Sequence, residues 1–348
     1  MSQKSDILKS DILYVGVDLG TSHSAISASN GEHHVIESYV GWPVDMVARK
    51  VIKKPVMIGR EALDNRSMLD LRRPLEKGVV KEGSEKDAAA VHELLRHLVG
   101  LAKGKSGADG KRKVHAAIGV PAGALRASKH MLREVLKGTV DGLMIVSEPF
   151  AVAYGLEELL HSMIIDIGAG TTDFCVMNGR YPTDEDQRSV TTAGDTIDEQ
   201  LAKLVREKHP DAQFSIHMIR EWKEKWSFVG EPKQRAVVTI PVNGKPTSLD
   251  ITNEVRTACE QLLPPISETM LDLLSRMDPE YQERVRNSII LAGGGSRIVG
   301  LGQHLQEALG QVGHGKVRIV DDPVFAGSNG GLAFALDAVD TDWEQLTV

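Results

Sequence analysis

Short runs of buried-type residues alternate with amphipathic stretches along most of the chain. Tyr14-Val15-Gly16-Val17 predicts a buried strand that runs into an acid and a glycine turn, Asp18-Leu19-Gly20-Thr21-Ser22. Ala25-Ile26-Ser27-Ala28 then predicts the return strand of a hairpin. The same grammar comes back at Met163-Ile164-Ile165-Asp166-Ile167-Gly168-Ala169-Gly170-Thr171-Thr172-Asp173-Phe174-Cys175-Val176. From Asp18 to Asp166 is a step of 148 residues. A solenoid repeats every 20–50 residues or so, and this offset instead fits two domain-sized halves.

Helical and strand signals fill the rest. Residues 87–99 are amphipathic, with Val91, Leu94, Leu95 and Leu98 on one face. A strand at 115–120 stops at Pro121, a helix follows over 127–136, and Met144-Ile145-Val146 is a further strand. Glu148-Pro149 then opens a helix rich in small residues over 151–159, an acid and a proline both suiting a helix start. Beyond the second hairpin, 198–207 and 215–225 read as helices, and 235–251 as a β-hairpin turning at Asn243-Gly244. Residues 253–277 read as a long helix broken or kinked by Pro264-Pro265. A strand over 288–291, a glycine run, and helices over 298–309 and 330–338 complete the pattern, with the lysine-rich 100–113 stretch as a flexible loop. Strands alternating with helices predict layered α/β domains.

Length agrees, since 348 residues exceed what one hydrophobic core holds. Charge narrows the function: 41 Lys and Arg against 48 Asp and Glu leave a net −7, with no basic field for nucleic acid. The two cysteines, Cys175 and Cys259, sit in apolar segments and read as buried free thiols of a reducing compartment. No apolar run approaches the roughly 20 residues that span a bilayer. Near the start, Ile7, Leu8, Ile12 and Leu13 stand at helical spacing, but Asp6 and Asp11 among them disfavour an anionic lipid surface. A cytoplasmic protein is expected.

The chemistry concentrates at the two bends. Glycine at a hairpin bend leaves successive backbone N–H groups unobstructed, a concave cradle for phosphate oxygens. Facing bends would hold a polyphosphate from both sides, and Asp18 and Asp166 would project carboxylates into the floor to reach Mg²⁺ through its waters. The plainer alternative is that each acid caps its turn. Two other motifs fail on inspection. Residues 100–106 resemble a P-loop but are one residue short and follow a helix, and His92 and His97 miss zinc-motif spacing by one position.

Taken in order, several segments resemble the superfamily of actin, Hsp70 and sugar kinases. Residues 17–22 are similar to its first phosphate motif and Ile165 to Asp173 to its second. Leu291-Ala292-Gly293-Gly294-Gly295-Ser296-Arg297 is similar to its adenosine motif, and 147–155 and 327–335 to the two helices that join its halves. The resemblance implies an actin-like (ribonuclease H-like) fold of duplicated domains. Each is a mixed β-sheet flanked by helices, with small inserted subdomains and a nucleotide cleft between the halves. The first domain would span 12–150 plus 325–348, with an insert at about 38–76. The second would span 151–324, with an insert at about 203–252. It also implies binding roles for Asp18, Gly20, Thr21, Ser22 and His23, for Gly168, Ala169, Gly170 and Thr171, and for Gly293, Gly294, Gly295, Ser296 and Arg297.

Residues 219–225 are similar to an actin helix whose Lys-Glu pair touches adenine and ribose, which implies Lys223 and Glu224. The turn at Ala193-Gly194-Asp195 is similar to one of bacterial actins beside the phosphates, which implies Gly194 and Asp195. Further segments at 66–75, 146–150 and 227–230 resemble bacterial actins that build organelle-organising filaments. By that resemblance Glu148 orients the attacking water and Asp166 supports catalysis, with ATP/ADP and Mg²⁺ as cofactors and Asp18 and Asp166 on the metal through water. Conventional actin has a phosphate-contacting lysine in the first hairpin, where this chain offers His23 instead. The expected activity is an ATPase whose nucleotide state controls a self-associating filament, with organelle-associated acidic or adaptor proteins as further partners. A sugar kinase or an Hsp70-like regulator is the alternative, although the short stretch after the last joining helix leaves an Hsp70-like substrate domain unexpected.

Overall fold

Two sheets with one strand order organise the chain. The computed structural model describes residues 11–77, 79–80, 85–104 and 112–345, with the backbone alone for 124–129 and 345. The expected amphipathic start therefore lies mostly, and the lysine-rich loop partly, outside the described residues. The first sheet opens with an antiparallel meander, β1 (Ile12–Leu19), β2 (His23–Ala28) and β3 (His33–Glu37). The chain then leaves it for a small sheet of β4 (Val40–Pro43), β5 (Met57–Ile58) and β6 (Leu69–Arg72), and a ribbon of β7 (Leu75–Glu76) and β8 (Val79–Val80). On return, β9 (Lys113–Val120) pairs parallel to β1, and β10 (Gly142–Ser147) parallel to β9.

The second sheet repeats the plan. An antiparallel meander of β11 (Leu160–Ile167), β12 (Thr172–Asn178) and β13 (Gln187–Val190) comes first. The hairpin of β14 (Val237–Val242) and β15 (Lys245–Asp250) departs, turning at Asn243-Gly244 with φ of 51° and 77°. Then β16 (Ile289–Ala292) joins parallel to β11 and β17 (Val317–Ile319) parallel to β16. The orders β3-β2-β1-β9-β10 and β13-β12-β11-β16-β17 match strand for strand, and only β18 (Glu344–Gln345), antiparallel on the β10 edge, lacks a counterpart. Asp18 and Asp166 thus hold equivalent places, each near the carboxyl end of a central strand, where open α/β sheets bind ligands.

Each sheet carries its own apolar core, and a third lies between them, built from Phe150, Val152, Ile164, Cys175, Ile290 and Phe334 among others. Two helices run through this middle layer, Glu148–Gly155 and Ala326–Asp337. Both are apolar on nearly every face, as a helix buried on all sides must be. They approach backbone to backbone: a Cβ added at Gly330 would fall on the Ala151 carbonyl, and one at Gly155 would lie 2.7 Å from Gly330 Cα. Cys175 and Cys259 are free and buried.

The proline pair acts differently from the expected mid-helix break. One helix covers Thr252–Glu260 and another Leu263–Arg276, so the chain breaks just before the prolines, which sit in the first turn of the second helix. There a missing N–H costs nothing, because first-turn donors have no intrahelical acceptor. The helix after Glu148 also stops earlier than expected, at Gly155, before Glu157 turns to φ 58°. Gly330→Ala is expected to destabilise the protein by about 3 kcal/mol through overpacking. A thermal melt unchanged by this substitution would show that the helix crossing has room to spare.

Candidate functional site

The two glycine bends face each other. A Cβ added at Gly170 would lie 2.6 Å from Thr21 Oγ1, so the second bend rests directly on the first. Each bend is braced from behind. The Gly20 carbonyl accepts the Ser38 hydroxyl at 2.7 Å, Gly168 N–H donates to Thr171 O at 2.9 Å, and Gly194 N–H donates to Gly168 O at 3.1 Å. Between them opens a cavity of about 430 Å³.

Four acids gather at its floor. Asp18, Glu148 and Asp166 line the cavity, and Asp173 is the cross-strand partner of Asp166. Glu148, Asp166 and Asp173 are buried, and Asp18 is partly buried. Burial pushes the Asp18 carboxyl up to about 6. It raises Asp166 well above the carboxylate range, with the Asp18 and Asp173 charges adding to the shift. Glu148 is raised likewise, first by burial and then by Asp18, Asp173 and Asp166. Asp173 is raised by burial despite accepting Ala122 N–H at 2.9 Å and the Ser189 hydroxyl. Glycines make room for two of these carboxyls. Gly327, on the second crossing helix, would place a Cβ 2.7 Å from Asp18 Oδ2, and Gly293, at φ 73°, would drive one into Asp166.

Glu148 Oε1 is buried without a partner among the described residues. No described Lys or Arg forms an ion pair with any of the four acids. The described residues hold no cage of three or more direct ligands. Such a donor set fits a hard divalent cation that keeps its waters and bridges to a polyphosphate, as Mg²⁺ does.

At the far end, Lys223, Glu224, Ser227, Leu262, Gly295 and Ile298 form a wall with a partly apolar surface suited to a purine. Lys223 Nζ is held by Asp198 at 2.7 Å and by the Gly194 carbonyl at 2.9 Å. Asp18, Gly20, Thr21, Ser22, His23, Glu148, Asp166, the 168–171 bend, Gly194, Lys223, Glu224, Gly293, Gly294, Gly295 and Arg297 all line this one cavity. Two expected contacts do not. Ser296 is fully buried, its hydroxyl on the Gly293 carbonyl at 2.7 Å, so it shapes the glycine run from behind. Asp195 turns away to Arg73, bonding both guanidinium nitrogens at 2.9 Å. Sequence reading left out Asp173, visible in the hairpin register as the acid facing Asp166, and the apolar wall of Ile197, Leu262 and Ile298.

A larger cavity of about 590 Å³ lies beside β11 and β12, lined by His161, Arg180, Asp186, Arg276 and Tyr281. Two of its three arginines are paired, Arg180 with Asp186 and Arg276 with Asp272, both at 2.9 Å, while Arg188 donates to the Asp184 carbonyl at 3.0 Å, and no phosphate-type bend borders it.

Duplicated sheets, opposed glycine bends and a cavity between two lobes define an actin-like protein. The chain belongs to the MreB/Mbl protein family, whose model matches residues 13–341. It is 42% identical over 335 residues to the actin-like protein MamK of Paramagnetospirillum magneticum, covering 96% of this chain and 95% of that protein. Among solved structures it is similar to the MamK double helical filament, with a TM-score of 0.90 at 41% identity, over 94% of this chain and 100% of that one. It is also similar to a non-polymerising MamK mutant bound to AMPPNP, with a TM-score of 0.70 at 42% identity, over 93% and 99% of the two chains.

The buried acids carry a pH signature. Their folded pKa values lie above the unfolded ones, so from about pH 4 upward, through about 6 for Asp18, the native state holds more protons and stability falls as pH rises, with the upward shifts of Glu148 and Asp166 acting in the same direction. Chelated, nucleotide-free protein is expected to melt several degrees higher near pH 5.5 than near pH 7.5, with Asp18→Asn reducing the difference. A melting temperature that climbs steadily with pH would contradict the buried-acid arrangement.

Proposed function

We propose that this chain binds Mg-ATP between its lobes, hydrolyses it, and assembles into a filament whose growth and disassembly follow the nucleotide state. The observation that carries the reading is the convergence of both glycine bends and the buried acids on one cavity. On this reading 12–150 with 325–348 form one lobe and 151–324 the other. The bends cradle the phosphates from opposite sides, and the adenosine lies against Gly293 to Arg297 with Lys223 and Glu224 at its edge. Asp18 and Asp166 hold Mg²⁺ through water, and the metal supplies positive charge against the phosphates and the acid floor.

Glu148 is suited to the remaining task. Phosphoryl transfer to water asks the protein for an in-line water and for charge stabilisation, with little covalent chemistry. A carboxyl at a helix start that lines the cavity, with one buried oxygen unpartnered, can hold that water in line and take its proton. Because the nucleotide touches both lobes, its state biases their closure. A repeated head-to-tail contact then converts closure into an open polymer. Likeness to the MamK filament subunit supports assembly, and the same likeness supports a cytoskeletal filament that positions magnetosomes through organelle-associated acidic or adaptor proteins.

Sedimentation and electron microscopy test assembly directly: filaments are expected with Mg-ATP and fewer with Mg-ADP, and no polymer in either state removes the filament reading. Glu148→Ala is expected to slow phosphate release at least about 100-fold while nucleotide still binds. Wild-type turnover in that variant takes Glu148 out of the mechanism. Asp166→Ala is expected to abolish Mg²⁺-dependent turnover, and unchanged metal dependence would mean the cation sits elsewhere.

A further inference from the structure

Arg73 lies between β6 and β7, in the first lobe's insert, and reaches across the cleft. Its Nε donates to the Thr21 carbonyl of the first bend at 2.9 Å, while its two terminal nitrogens clasp Asp195. Asp195 is in turn fixed to the second bend, its backbone N–H donating to the Ala169 carbonyl at 2.7 Å. One guanidinium–carboxylate pair therefore ties both phosphate-facing bends together.

The pair does not stand alone. Arg220 Nη2 approaches Asp195 at 3.7 Å, and its Nε bonds buried Asp198 at 3.0 Å. Asp198 also holds Lys223, which lines the cavity. Arg220 makes a second link between lobes by donating to the Tyr39 hydroxyl. With side chains only 18% and 28% exposed, the Arg73–Asp195 pair is shielded from the solvent screening that weakens surface pairs. Its two-pronged geometry adds directional strength.

We infer that the chain Arg73–Asp195–Arg220–Asp198–Lys223 is a latch across the cleft mouth that sets how fast nucleotide leaves. The bends cannot part without breaking the Arg73–Asp195 pair, so release must wait for it to open. Arg73 and Asp195 act as positioning residues, holding the groups that touch phosphate without touching it themselves. The inference rests on the nucleotide reading of the cavity.

The test is dissociation of a fluorescent ATP analogue, mant-ATP, from full-length protein with Mg²⁺, chased by excess ATP in a stopped-flow instrument. Arg73→Ala and Asp195→Ala are each expected to speed release about tenfold, since truncating one partner of a shielded pair acts mainly on the off-rate. Combining them should add nothing further. Arg73→Lys, which keeps the charge but loses the fork, should fall between and serves if the alanine variant does not fold. Release from folded variants within about twofold of wild type, or rate increases that multiply in the double variant, overturn the latch alone. Failure of wild type to bind mant-ATP overturns the nucleotide reading and the latch with it.

Discussion

Four carboxyl groups cannot share one buried floor as bare ions. Each loses hydration on burial, and each raises the cost of its neighbours' charge. The structure spends stability on this arrangement at neutral pH and recovers it only when something positive enters or protons bind. Much of the surrounding architecture serves that one constraint. Gly293 and Gly327 clear space beside Asp166 and Asp18, and the opposed bends leave backbone donors where an anion with its counter-cation would sit. Trading stability for a site in this way is common where a ligand completes the folded state.

The matching strand orders explain how one constraint is met twice. Equivalent central strands end in equivalent acids, and equivalent parallel neighbours end close by, β9 at Val120 and β16 at Ala292. The lobes then differ in what they add to this shared plan. The first carries a small sheet with the arginine that crosses the cleft, and the second carries the helix bearing Lys223 and Glu224.

How much of this was legible in the sequence depended on the range of the interaction. The hairpins were readable because an acid, a glycine turn and flanking β-branched residues are local signals, and their repetition at domain spacing gave the fold. The glycine run after β16 was readable for the same reason. Asp195 was misplaced because a glycine–acid turn looks the same whether its carboxylate points into a cavity or out of it. What decides its direction is Arg73, 122 residues away, and no periodicity reports that pairing. The proline pair shows the opposite failure: a local rule was available, but whether prolines break a helix or begin one depends on where the previous helix ends.

The two crossing helices meet through Gly155, Gly330 and Ala151, with backbone touching backbone. Beside that contact the rings of Phe150 and Tyr154 pack edge to face on Phe334 of the other helix, so relative rotation of the lobes about this seam has to slide interlocked rings past one another. The seam has the character of a keyed joint, close-fitting at the backbone and notched by aromatics. Torsional stiffness between the lobes is thereby shared between this joint and the contacts farthest from the axis, where a single bond has the longest lever arm.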